Sequence, residues 1–183
     1  DAGADVTVVE RRDRLGGVAG RIERDGFRFD TGPSWYLMPD VFERFFDAFG
    51  RDPADYYSLT RLDPHYRVFW KDGDEAAVPA DRAGQRALFE SYEDGAGDAL
   101  DAYLAEAAEA YEVGVEEFVY ERRPCLRDWL DPGLLRAARG LTLLGSMDDH
   151  VRSYVAEPKL RQLLEYTLVF LGGSPYNTPA LYS

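Results

Sequence analysis

Glu10 closes the run Val-Thr-Val-Val at residues 6–9. An acid at the end of the second strand of a nucleotide-binding βαβ unit takes the ribose hydroxyls of a dinucleotide. The competing reading is a solvated acid at a strand end. Six residues further on stand Gly16 and Gly17. Without a Cβ, a glycine pair lets the backbone approach a diphosphate closely, although any ordinary turn uses the same pair. Arg11, Arg12, Arg14 and Arg21 put four fixed positive charges around that turn, in a chain of net charge −13. Arginine suits bidentate phosphate contact; pairing with the abundant acids is the alternative. The stretch Phe-Asp-Thr-Gly-Pro-Ser-Trp-Tyr, residues 29–36, joins a turn to two aromatics. A Gly-Pro turn can lay backbone amides against a flat ring system.

Such chemistry needs elements to hold it. In a dinucleotide site the phosphates rest on a glycine-rich turn about 20 residues before the acid, and only nine residues precede Glu10 here. The expectation is that this turn lies upstream of Asp1, so that the chain is a fragment. Residues 6–9 read as a buried strand. Arg21 to Glu23 and Phe27 to Asp30 read as short strands around the hairpin signal Asp25–Gly26. Asp40 to Gly50 reads as a helix capped by Asp40 and stopped by Gly50, with Phe42, Phe45, Phe46 and Phe49 at helical spacing. Leu59 to Leu62, Tyr66 to Trp70 and Glu75 to Val78 read as strands, the last two joined by Lys-Asp-Gly-Asp. From about Arg82 the period changes to 3.6, which predicts helices over 83–92, 98–119, 132–144, 148–156 and 159–171. The predicted fold class is α/β, α+β overall. Residues 1–83 would form a partial nucleotide-binding segment with a small antiparallel sheet, and 84–183 a mainly helical portion.

Composition narrows the function. The chain has 183 residues, 45% of them hydrophobic, enough for about one domain's core. No run of 18 apolar residues predicts a spanning helix, and no basic stretch followed by an apolar one opens the chain. The acidic balance argues against nucleic acid as a partner, since phosphate neutralisation needs a basic face. Cys125 is the only cysteine, which excludes an internal disulfide and fits a reducing cytoplasm. His65 and His150 lie 85 residues apart with no cysteine at ligand spacing, so no metal site is expected. Aspartate outnumbers glutamate, and Lys71 and Lys159 are the only lysines against nineteen arginines. Such a surface reads either as an ordinary acidic, solvated one or, more sharply, as adapted to high salt.

The order of these pieces resembles the phytoene desaturase (carotenoid dehydrogenase) branch of the FAD-dependent amine-oxidase-like flavoproteins. The resemblance runs through VTVVERRDRLGG, DGFRFDTGPSWYLMPDVFERFF, YYSLTRLDPHYRVFW and LRQLLEYTLVFLGGSPYNTPALYS, and it covers essentially the whole chain. It implies a Rossmann-like FAD domain built from separate segments, with its first strand and Gly-x-Gly-x-x-Gly turn upstream, and a partly helical substrate domain. It matches Glu10 to the ribose-binding acid, Arg12 to a basic position near the adenosine diphosphate, and Gly16 and Gly17 to the pair facing the cofactor. Thr31, Gly32, Pro33 and Ser34 match the turn beside the flavin. The family commonly places arginine after the glycine pair, where this chain has Val18; Arg21 is the expected substitute, or else backbone amides serve the diphosphate.

The implied reaction removes two hydrogens from a C–C bond next to a polyene, with FAD as acceptor and quinone or oxygen reoxidising it. A phytoene-like substrate offers little but apolar surface. Phe118, Trp129, Leu143, Leu144, Tyr166, Phe170 and Leu171 are therefore candidates to line a tunnel, although an apolar residue on a helix more often reads as ordinary core. Residues 131–147, apolar with two arginines, read as a peripheral membrane contact of a cytoplasmic protein. No catalytic acid or base stands out: Asp148, Asp149 and Arg152 cluster at a helix start, where acids usually cap. The rival readings are a carotenoid isomerase, a hydroxycarotenoid desaturase or an amine oxidase relative, and a non-catalytic truncated module.

Overall fold

The computed structural model describes residues 3–32, 35–115, 120, 122, 124, 125 and 145–182. They form helices and two small antiparallel sheets, compatible with an α/β fold, in two compact units, Asp1–Thr60 and Arg61–Ser183.

In the first unit, β1 (Arg21–Arg24) pairs with β2 (Phe27–Asp30), with Arg21 opposite Asp30 and Arg24 opposite Phe27. Asp25 and Gly26 turn with φ of 53° and 83°, the two positive angles of the type I′ turn that suits strand twist. Helix α1 (Pro39–Asp47) follows. Its N-cap is Met38 rather than Asp40: Pro39 takes the first helical position, where its missing N–H costs nothing, and Asp40 falls in the first turn beside the positive end of the dipole. A 3₁₀ turn, Pro53–Asp55, is capped by Asp52, whose carboxylate accepts from the Ala54 N–H at 2.8 Å.

The strand expected at 6–9 does not form. Val6, Val8 and Val9 are exposed, and no strand among the described residues pairs with them. A parallel strand is held by ladder bonds and by burial on both faces, and neither is supplied here. Nor do residues 59–62 form a strand. Leu59 and Leu62 are exposed, and the Arg61 guanidinium instead donates to the Ala80 carbonyl.

The second unit holds a contiguous core. Strand β3 (Tyr66–Phe69) pairs with β4 (Glu75–Val78), Tyr66 opposite Val78. The alternation on β4 buries Ala76 and Val78. Helix α2 (Arg82–Tyr92) starts at Asp81, whose carboxylate accepts from the Gly84 N–H at 2.9 Å. The Glu90 carboxylate accepts from the N–H groups of Gly95 and Gly97, at 2.9 and 3.0 Å, and so caps helix α3 (Ala96–Val113) from its neighbour. Arg82 and Arg86 on α2 pair with Asp98 and Asp101 on α3. Among the described residues, helices α4 (Met147–Arg152), α5 (Pro158–Glu165) and α6 (Leu168–Leu171) follow.

The single helix predicted over 159–171 is two helices, parted at Tyr166 and Thr167, and the one predicted over 148–156 stops at Arg152. The helix predicted over 132–144 lies outside the described residues. Met147, Val151, Leu160 and Leu168 are fully enclosed, and Phe89, Leu100 and Tyr103 pack with them. Each such apolar side chain contributes roughly 1.5–3 kcal/mol by leaving water. Lys159 on α5 reaches the β3–β4 turn, 2.7 Å from Asp72 and 2.8 Å from Asp74, with its ammonium 5.2 Å from the centre of the Trp70 ring.

Candidate functional site

The first unit gathers the sequence-predicted residues from two turns. The N–H of Ala19 donates to the Gly16 carbonyl at 2.9 Å, closing the glycine turn, and the N–H of Thr31 donates to the Gly20 carbonyl at 2.9 Å. The second turn lies close against the first: a Cβ on Gly32 would stand 2.1 Å from the Val18 carbonyl oxygen. Between them is a concavity of about 480 Å³. Arg12, Gly17, Arg21 and Thr31 line it, and so do Asp13, Arg14 and Gly20. Four of the predicted residues thus share one wall, with Gly16 and Gly32 supporting it. Glu10 is outside the lining; its Oε1 accepts from the Arg12 N–H at 2.9 Å. Pro33 and Ser34 lie outside the described residues.

The lining fits a phosphorylated ligand. Gly17 has φ of +55°, and a Cβ there would meet nothing within 4 Å, so its backbone faces open space. Three guanidinium-bearing side chains share the wall with one carboxylate-bearing one, Asp13. The Nη1 of Arg14 donates to the Arg21 carbonyl at 2.9 Å, while Arg21 itself pairs with Glu23 at 3.2 Å. The residues that could hold a nucleotide diphosphate are therefore Arg12, Arg14, Arg21 and the amides of the glycine turn. Arg14 belongs to the basic cluster visible in the sequence. Its place in the wall follows from the turn geometry, not from its type.

Just beyond the second turn, Tyr36 stacks on Phe42 at 4.8 Å, and its hydroxyl lies 2.5 Å from that of Tyr57. Desolvation, then the bond to Tyr57, push the Tyr36 pKa up to about 12.

The second unit contains an apolar cavity of about 330 Å³, lined by Tyr66, Val78, Phe89, Leu100, Tyr103 and Leu104 among others. Of the tunnel candidates among the described residues, none lines it. Tyr166 stacks on Tyr66 at 4.7 Å, Phe170 and Leu171 are exposed, and Phe118, Trp129, Leu143 and Leu144 lie outside the described residues. Residues 131–144 of the expected membrane contact also lie outside them, and Met147 is buried. No helix among the described residues is long and apolar enough to cross a membrane.

A titratable cluster adjoins the cavity wall. The Tyr103 ring is 5.8 Å from that of His150 and 5.5 Å from that of Tyr154. The Tyr154 hydroxyl donates to Glu106, and His150 Nε2 is 3.9 Å from the other Glu106 oxygen. Burial raises the pKa of Tyr103, and burial followed by the bond to Glu106 pushes that of Tyr154 up to about 12. Burial, then the charge of Asp148, raises that of Glu165. Asp148 and Asp149 have structural partners. Asp148 pairs with Arg152 at 2.6 Å, and Asp149 accepts from the hydroxyl of Ser146, the N-cap of α4, at 2.7 Å.

Comparison with known proteins places the chain in a family. A family model described as flavin containing amine oxidoreductase matches residues 1–182. The chain is 57% identical over 184 residues to carotenoid 3,4-desaturase of Haloarcula japonica, covering 100% of this chain and 37% of that protein. It is 33% identical over 180 residues to zeta-carotene-forming phytoene desaturase of Myxococcus xanthus, covering 98% and 35%. It is 30% identical over 181 residues to 4,4'-diapophytoene desaturase (4,4'-diaponeurosporene-forming) of Staphylococcus aureus, covering 99% and 36%. The chain therefore spans little more than a third of the length of these relatives. With its glycine turn, arginine-lined concavity and match along nearly its whole length, the chain belongs to the flavin-containing amine oxidoreductase family.

Proposed function

We propose that this chain is part of an FAD-dependent desaturase that introduces a C=C bond beside a polyene, acting on a carotenoid or its phytoene-like precursor. The observation that carries the reading is the 57% identity to a carotenoid 3,4-desaturase along the full chain. Residues 1–83 contribute to a Rossmann-like FAD domain. Glu10 serves the ribose, Arg12, Gly16 and Gly17 the diphosphate side with Arg21 at its border, and Thr31, Gly32, Pro33 and Ser34 the flavin end. Residues 84–183 belong to the substrate- and membrane-facing portion. FAD supplies the two-electron acceptor, and quinone or oxygen takes the electrons onward. This chain's own residues bind and orient, and the apolar cavity of the second unit supplies surface of the kind a hydrocarbon seeks. The surface charge suits a cytoplasmic protein at high salt with peripheral membrane contact.

The test is to express the longer protein containing this chain, supply FAD and a panel of polyenes, and analyse the products. A product lighter by two hydrogens per step, with its absorption shifted to the red, supports desaturation. Product of unchanged mass points to an isomerase instead. A longer protein that never takes up flavin leaves only the non-catalytic reading.

A further inference from the structure

We infer that Arg14, not Arg21, is the cation that meets the phosphate groups of the nucleotide in the glycine-turn concavity. The inference rests on the flavin reading above.

Arg12, Arg14 and Arg21 all line the concavity, so residue type does not separate them. Their partners do. Arg21 lies 3.2 Å from Glu23 Oε1, and that same oxygen lies 3.3 Å from Arg28. A neighbouring carboxylate therefore offsets the charge of Arg21. Arg14 has no carboxylate partner among the described residues. It is anchored by one bond, from Nη1 to the Arg21 backbone carbonyl at 2.9 Å. A carbonyl is neutral, so this bond fixes the guanidinium without cancelling its charge. The anchor also spans the turn, joining residue 14 on one side of Gly16–Gly17 to residue 21 on the other. Arginine presents five donors in a fork matched to phosphate oxygens, and one of them is used on the carbonyl. Val18, which follows the glycine pair, brings no charge of its own. Arg12 adds a second cation on the same wall, where Asp13 offsets part of the charge and leaves a positive excess. In a chain of net charge −13, such a local excess selects an anionic ligand.

The experiment uses the longer protein containing this chain, stripped of flavin. ADP, FAD and riboflavin are titrated into the wild type, Arg14→Gln, Arg14→Lys, Arg21→Gln and Arg24→Gln. Riboflavin carries no phosphate, so its binding checks that each variant still folds. The expected result is a loss of about tenfold or more in ADP and FAD affinity for Arg14→Gln, a tenfold loss being the scale of one charge-assisted contact. Riboflavin affinity should stay unchanged, Arg14→Lys should fall between, and Arg24→Gln should bind as the wild type does. The salt dependence of ADP binding should weaken in Arg14→Gln. The inference is overturned if Arg14→Gln binds ADP as the wild type does, if it loses riboflavin equally, or if Arg21→Gln loses more ADP affinity than Arg14→Gln. A wild type that binds neither FAD nor ADP overturns the flavin reading and this inference together. A wild type that binds both, with Arg14→Gln unaltered, overturns this inference alone.

Discussion

Gly32 and the Val18 carbonyl are so close that a Cβ on the glycine would lie 2.1 Å from that oxygen, with the Ala19 Cα 3.0 Å away. Both neighbours are backbone atoms, so neither can rotate aside. The contact sets the spacing of the two turns that flank the concavity.

Gly32→Ala is therefore expected to push the turns apart. Forcing a methyl into a filled space costs about 1–3 kcal/mol, and here the strain falls on a candidate ligand wall. Flavin affinity of the longer protein, followed by quenching of flavin fluorescence, should drop at least tenfold. Gly26→Ala, in the hairpin turn away from the concavity lining, serves as the comparison and should leave that affinity within about threefold. Equal loss in both would assign the effect to general unfolding.

Lys159 gives a pH-dependent prediction. Its bonds to Asp72 and Asp74 hold both carboxyls below their usual range and raise its own pKa. Depressed carboxylate values mean that the clamp stabilises above the ordinary carboxylate range and is lost as pH falls through the lowered values. The raised lysine value means that the clamp is full below the ordinary lysine range and is lost as pH rises through the folded value. Melting curves of wild type and Lys159→Met should differ most near about pH 7 and converge toward about pH 3. A difference that persists in acid would point to lost packing over Trp70 instead.

Leu160 has no exposed surface and belongs to the main cluster. Leu160→Ala should cost about 2–5 kcal/mol, read as a lower midpoint in urea with little change in slope. Val169→Ala, at an exposed position on the following helix, should cost less than about 0.5 kcal/mol.

Tyr154 predicts behaviour in alkali. Its folded pKa is pushed up to about 12, above its unfolded value. Its contribution is therefore complete below about pH 10 and is lost as pH rises through the folded value. Absorbance titration should show late phenolate formation by Tyr154, Tyr36 and Tyr103, and Tyr154→Phe should reduce its amplitude by one phenolate. Tyr154→Phe should also flatten the fall in stability over that interval.

Several features were legible because they are decided within a few residues. The positive φ angles that Asp25–Gly26 can adopt make the first hairpin, and the alternation of residues 75–78 makes β4. The 3.6 period of 82–113 makes the paired helices. Gly17, Arg12, Arg14 and Arg21, adjacent in type and spacing in the sequence, do meet around one concavity. Residues 6–9 were misread because a β pattern states a preference, while a strand exists only when another backbone pairs with it. The break at Tyr166 and Thr167 interrupts a period that runs on smoothly in the sequence.

By itself, then, the sequence determined the local elements, the acidic surface, the glycine turn and the family, since each rests on residue type and short spacing. The tertiary structure decided how close Gly32 stands to Val18 and which apolar side chains enclose the cavity of the second unit. These depend on contacts between segments distant along the chain, such as Lys159 with Asp74 or Trp70 with Gln162. No local pattern specifies such a contact, because its free energy exists only once both partners have been brought together.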